Sequence, residues 1–367
     1  MMTARESGRA GFLARAVSAM VLAGGLGACG TASSPPEPAA PDGAEVPEAS
    51  VDDPDPGARL VGTWRLARVE RYDQTGAPLS HLMHPTIGLA PTLGFVMFDG
   101  ERMAMVMQEE VDPAGADNGS ASDDVLDAVE RYTSYFGPYV VDEARGFVSQ
   151  RIAGSLNPRL TGGRLEPFYE FDADQLVLLP GRQCPDSYVT DRGCAYGTTG
   201  IELRNVWEWL PPTADSGDEA RPFLGFWEID RIERRTVNGT ALPTEQFAAG
   251  YLIYMPSGYM AVHLMRPDRR PYEGPRPTVL EAHAAMGSYA SYFGPFSVDA
   301  GEGVVVHHRA GHLDPAGIGV DAPRAFEFRD GQLILRPPVA TIDGQEVQTS
   351  VFWNRLGTLD PDAGQDR

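Results

Sequence analysis

Five of the chain's seven histidines, His263, His283, His307, His308 and His312, fall in its last third. Imidazoles can ligate a metal, move a proton or hydrogen-bond a polar head group. His308 and His312 have the four-residue spacing that pairs ligands on a helix, but they follow a β-rich run and flank Gly311. His307 and His308 are adjacent on that run, so they face opposite sides of a strand and do not readily join one compact site. No His-Glu-x-x-His or zinc signature occurs, and neither a metal nor another cofactor is expected. Further along stands Arg324, whose planar fork suits a carboxylate. His307, Arg324, Tyr292 and His263 are the candidate ligand-binding residues, and no catalytic residue is assigned. Two readings of His307 and Arg324 stand side by side: contact with a ligand, or a buried structural network.

The elements that position these residues occur twice. YTSYFGPYVVD (Tyr132 to Asp142) returns as YASYFGPFSVD (Tyr289 to Asp299), with eight of eleven positions identical. LVGTW (Leu60 to Trp64) returns as FLGFW (Phe223 to Trp227), and EFDADQLVLLP (Glu170 to Pro180) as EFRDGQLILRP (Glu327 to Pro337). Repeats of this length define domains. The boundaries read 59–210 for the first copy, 211–222 for a Pro- and acid-rich linker, 223–356 for the second copy and 357–367 for an acidic tail. Aligned on SYFG, the offset is 157, so His307 falls on Gln150, His308 on Arg151 and Arg324 on Pro167. The second copy alone keeps the polar set. The aromatics Trp64/Trp227 and Tyr135/Tyr292 recur in both, which favours packing over ligand contact.

Each copy reads mostly as strand. GFVMFDGERMAMVM turns at Asp99-Gly100, GYLIYMPSGYMAVHLM at Pro256-Ser257-Gly258, and Phe326 to Leu335 at Asp330-Gly331; these are hairpin signals. Met103, Met105 and Met107 alternate on one face, lining either a core or an adaptable cavity. One helix per copy is expected. Thr278-Val279-Leu280-Glu281 matches a capping box, the first copy's equivalent is Asp123 to Tyr132, and Gly137-Pro138 and Gly294-Pro295 should end the helix and launch the next strand. Asp142 and Asp299 lie beside expected turns, where a local capping role suits them. Many short strands and one helix in each copy fit an antiparallel barrel better than a sandwich.

Several motifs together resemble the bacterial lipocalin-like domain family: LxGxW at the start, Y-x-x-Y-F-G-x-Y/F-x-V-D, G-x-V-x-H-H-x-x-G-x-L-x-P, R-x-F-E-F and a closing W-x-R. In the second copy they include Gly225, Trp227, Tyr289, Tyr292, Phe293, Gly294, His307, His308, Pro315, Arg324, Trp353 and Arg355; Phe223 replaces the opening leucine. The resemblance implies an all-β chain of two tandem lipocalin-like antiparallel β-barrels, each with one short helix. It says little of activity, because barrels host many functions.

Arg5, Arg9 and Arg15 precede an apolar run, Ala16 to Leu26, that is too short to span a bilayer. The run ends in Leu26-Gly27-Ala28-Cys29, which resembles a bacterial lipobox. That resemblance implies a signal peptide over 1–28, cleavage before Cys29 and lipid, palmitate included, on its sulfur. Residues 30–58 hold seven acids and no basic residue, a composition expected to be disordered and to span about 30 Å as a tether. Of the three cysteines, Cys184 and Cys194 then remain, and in an oxidising compartment they read as a local disulfide within an insertion of the first copy. The formal charge is −21, which disfavours nucleic acid and anionic lipid as partners.

The leading expectation is an exported lipoprotein of the cell envelope, at the outer membrane facing the periplasm in a Gram-negative host. It would be tethered through Cys29 and bind a small apolar or amphipathic molecule, with the second copy the better binding barrel. An enzyme of cyclase or isomerase type using His307, Tyr292 and Arg324 is one alternative. A structural or interaction lipoprotein with filled barrels is the other.

Overall fold

The computed structural model describes residues 56–73, 75–78, 92–109, 121–180, 189–190, 193–194, 201–213, 217–274, 276–357 and 359. The leader, Cys29, the tether up to residue 55, Cys184 and the tail from 360 lie outside these residues, and the tether's last three residues begin a short helix, Pro56–Leu60.

Each copy closes an eight-stranded antiparallel barrel. The first comprises β1 (Gly62–Asp73), β2 (Thr92–Phe98), β3 (Arg102–Glu109), β4 (Tyr132–Asp142), β5 (Phe147–Arg151), β6 (Phe168–Asp172), β7 (Gln175–Leu179) and β8 (Ile201–Leu210). The ring runs β4-β3-β2-β1-β8-β7-β6-β5 and returns to β4. The β5–β6 seam is its thinnest, with Phe147 opposite Phe168. The second comprises β9 (Gly225–Thr236), β10 (Ala249–Tyr254), β11 (Tyr259–Met265), β12 (Tyr289–Asp299), β13 (Val304–His308), β14 (Asp321–Arg329), β15 (Gln332–Arg336) and β16 (Gln345–Gly357). These strands pair in chain order, and β9 with β16 completes the ring. Closure removes the exposed edges that an open sheet would leave.

The helices are Pro56–Leu60 (α1), Ala121–Glu130 (α2), Gly217–Ala220 (α3) and Val279–Gly287 (α4). The expected capping box opens α4: the Glu281 amide donates to Thr278 Oγ1, and the Thr278 amide donates to the Glu281 carboxylate at 2.7 Å. The expected break at Gly-Pro is corrected. Helix α2 ends at Glu130, β4 is already under way at Tyr132, and Gly137 and Gly294 lie inside strands. Their role is close approach: a Cβ on Gly294 would come within 1.9 Å of the His308 carbonyl oxygen, and one on Gly137 within the same distance of that of Arg151. Asp142 and Asp299 cap their turns, accepting from the amides of Arg145 and Glu302 at 3.0 and 2.9 Å.

The opening tryptophans anchor each interior. Trp64 Nε1 donates to the Leu60 carbonyl at 2.8 Å, and Trp227 Nε1 to that of Phe223 at 2.7 Å. Arg355 lies over the Trp227 ring at 4.0 Å. Met103, Met105 and Met107 face the first interior, while Ala104 and Val106 between them face outward into a second apolar layer. Burial on both sides explains why this run is almost continuously apolar.

That second layer joins the two barrels, and its contacts are reciprocal. The hydroxyls of Tyr132 and Ser291 meet at 3.0 Å, and those of Ser134 and Tyr289 at 2.9 Å. Phe95 packs on Phe293, and Phe136 on Tyr251. Register makes Tyr251 the counterpart of Phe95, opposite Glu228 as Phe95 is opposite Arg65. Each contact therefore has a partner contact with the copies exchanged, as an approximate two-fold relation requires. Helices α2 and α4 pack against each other at the same junction.

Candidate ligand site in the second barrel

The alternation that separates His307 from His308 is observed. His307 faces the interior and is 1% exposed, whereas His308 faces outward between Ser297 Oγ (3.0 Å) and Asp321 Oδ1 (2.8 Å). Both ring nitrogens of His307 are engaged: Nε2 meets the Tyr254 hydroxyl at 2.7 Å, and Nδ1 the Tyr292 hydroxyl at 2.9 Å. Burial pushes His307 well below its usual pKa, and the nearby guanidiniums of Arg324 and Arg309 act in the same direction. The imidazole is therefore neutral, donating through one nitrogen and accepting through the other. Burial also raises the Tyr254 and Tyr292 phenols, so both stay protonated at neutral pH.

Arg324 stands opposite Val305 and alternates with Phe326 and Phe328, so it shares the interior face with His307. Its charge bears on Tyr254, Tyr292 and His307 alike. Beside Tyr292, His312 stacks at 5.7 Å between centroids with planes 8° apart, and the Arg309 guanidinium lies 5.9 Å from the ring centre. Arg234 was not singled out from sequence. Opposite Thr349 in register, it lies on the same inward row as Ile232, half-buried, and its Nε has no partner among the described residues. Among the described residues, neither Arg234 nor Arg324 meets a carboxylate. The signal that could have found Arg234 is its repeat counterpart Arg71, also an inward arginine at the far end of its barrel's opening strand.

Of the expected set, the fold brings His307, Tyr292 and Arg324 together and adds Tyr254. His263 is not part of it. Val262 and Leu264 face the interior, so His263 faces out into the junction between barrels. There it is fully buried, 2.8 Å from Ser134 Oγ, and burial holds it down at about 3. His308 and His312 also part, one outside the barrel and one beside Tyr292, and His283 is exposed on α4.

One end of the second barrel is filled. Phe223, where the family pattern has leucine, packs edge-on against Tyr254, Phe326 and Phe328 at 4.9–5.4 Å. At the other end the long connections emerge, after Thr236, Met265, His308 and Arg336. Two concavities lie outside the barrels: one of about 490 Å³ along the outer wall by Arg235, Arg336 and Phe352, and one of about 460 Å³ between α3 and the Ser257–Tyr259 turn.

The equivalent positions in the first barrel differ in polar content but not in shape. Tyr254 and Phe296 form an edge-on pair at 4.8 Å, and Phe98 and Tyr139 form its counterpart at 5.0 Å. The hydroxyl has moved from one ring of the pair to the other.

A family model described as a lipocalin-like domain matches residues 61–191 and again 224–356. Among solved structures, the chain is similar to a protein of unknown function from Nostoc punctiforme, with 9% identity, 82% of this chain and 98% of that one covered, and a TM-score of 0.19. It is also similar to a mutant of the vaccine antigen transferrin-binding protein B from Haemophilus parasuis, with 10% identity, coverage of 80% and 61%, and a TM-score of 0.17. No curated protein matches the chain.

Proposed function

Because this chain belongs to the lipocalin-like domain family, we propose that it is a binding protein whose second barrel takes a small amphipathic acid. The observation that carries the reading is the interior group Tyr292–His307–Arg324, with Arg234 on the same inward face. A half-buried guanidinium that meets no carboxylate among the described residues, beside a protonated phenol on the inward face, suits an anion. A neutral imidazole between two phenols adds orientation but no charge. The filled end at Phe223 directs the ligand toward the half where the long connections emerge.

Export and tethering through Cys29 complete the proposal, supported by the leader's charge, its short apolar run and its cysteine. A lipocalin-like domain on an acidic spacer suits capture of sparingly soluble molecules near a membrane. The alternative of a non-catalytic interaction lipoprotein has one observation in its favour, the aromatic filling around Phe223.

Calorimetric titration of the mature protein with decanoate separates the two. Binding that falls about 10- to 100-fold in Arg324→Ala is expected, from the loss of charge-assisted hydrogen bonds. No binding to the folded wild type, or binding indifferent to Arg324, would favour the interaction reading. Intact-mass measurement of protein from the membrane fraction should show acyl chains on Cys29; an unmodified thiol there would refute the tether.

A further inference from the structure

The duplicated barrels treat two equivalent interior positions differently. Gln150 lies opposite Tyr139 as His307 lies opposite Phe296. Asn205 lies opposite Val69 as Val351 lies opposite Ile232. In the second barrel both positions are settled: both His307 nitrogens are bonded, and Val351 has nothing to bond. In the first they are not. Gln150 is 0% exposed, and among the described residues neither its amide nitrogen nor its oxygen has a partner; Asn205 is 5% exposed, and its side-chain oxygen has none there either. Both face the interior, since Val148 flanks Gln150 and Trp207 follows Asn205 on that face. Buried amides are ordinarily paired, because an unpaired one keeps the full cost of leaving water.

We propose that the first barrel is a second binding site, for an uncharged amphipath whose head both donates and accepts hydrogen bonds, as a primary amide does. Gln150 supplies a donor and an acceptor, and Asn205 a further acceptor. A neutral head suits this interior better than an acid. Arg71, the counterpart of Arg234, lies in the field of Glu109, which opposes its charge, whereas Arg234 meets no carboxylate among the described residues. Met103, Met105 and Met107 give the tail a wall of flexible, polarisable side chains. This site does not depend on the acid reading of the second barrel.

The test pairs two probes of equal chain length, decanamide and decanoate, against the intact mature protein by calorimetry. Decanamide should bind the wild type, weaken at least tenfold in Gln150→Leu/Asn205→Leu, and hold its affinity in Arg324→Ala. The double variant removes unpaired polar groups, so its melting temperature should not fall; if it does, Gln150→Met alone serves, with the same tenfold loss expected. Failure of decanamide to bind the wild type would overturn the proposal. So would unchanged affinity in the Gln150 variants, which means the interior amides bind water only, or a loss that follows Arg324. If decanoate fails while decanamide binds and depends on Gln150, the reading of the second barrel falls and this one stands.

Discussion

Replacing His307 with leucine tests whether the buried Tyr254–His307–Tyr292 group is one hydrogen-bonded unit. Leucine is close in volume, so the perturbation is chiefly polar. Tyr254 is 0% exposed, and its hydroxyl meets His307; left unpaired, it should cost about 1–3 kcal/mol. Tyr292 is half-buried and has Arg324 nearby, so its loss is nearer the net value of one hydrogen bond, about 0.5–1.5 kcal/mol. His307→Leu should therefore destabilise the protein by about 2–4 kcal/mol. Tyr254→Phe alone strands the imidazole Nε2 and should cost about 1 kcal/mol or somewhat more. The combined Tyr254→Phe/His307→Leu variant strands neither of that pair, so it should be more stable than His307→Leu by about 1–2 kcal/mol. Equilibrium urea unfolding of the full chain, followed by circular dichroism, gives the cycle. A cost below about 0.5 kcal/mol for His307→Leu, or strict additivity in the double variant, would refute the unit.

Phe293→Ala at the junction should cost about 3–5 kcal/mol, because the ring is fully buried against Phe95 and Tyr132; a loss below 1 kcal/mol would show that the barrels barely depend on their contact. The same variant should separate the unfolding of the two barrels, which calorimetric scans would reveal as a broadened or split transition. Acid should weaken the fold through His263. Its folded pKa is held at about 3 by burial, against about 6.5 unfolded. The unfolded state then binds the extra proton, so this contribution is intact above pH 6.5 and is lost as pH falls toward 3, amounting to about 2 kcal/mol by pH 5. His263→Asn should flatten that part of the stability–pH curve, and an unchanged slope would show that His263 titrates normally.

The architecture was legible because the copies repeat their hairpin turns, helix and opening tryptophan in one order, and alternation fixed the faces of His307 and His308. The position of the strand start was not. Gly137-Pro138 reads as a break in one dimension, and only the carbonyl oxygen of Arg151 shows why glycine is needed within β4. His263 was misplaced for a similar reason. Its neighbours Val262 and Leu264 are apolar, so alternation makes His263 the outward residue, and an outward residue in a lone barrel would be exposed. The first barrel, through Ser134 and Phe136, buries it instead. Arg234 sits in a run of charged residues, and period alone could not single it out past the bulge between Ile229 and Arg231.

The strongest identity between the copies now has a physical cause, and it lies outside the barrels. Tyr132, Ser134 and Phe136 face the junction, as do Tyr289, Ser291 and Phe293, and each set meets residues of the opposite barrel. Under a two-fold relation, the partner of one copy's residue is the other copy's equivalent surface. A change in one copy thus spoils a contact that the other must answer, which holds both copies of the motif to the same residues. The interior is under no such constraint, because each barrel fills its own. There the pair Phe98/Tyr139 can become Tyr254/Phe296 with the ring geometry kept and only the hydroxyl moved. Shape is thus shared and polarity is free to diverge, and two barrels tied by a common outer face can carry different binding chemistry inside.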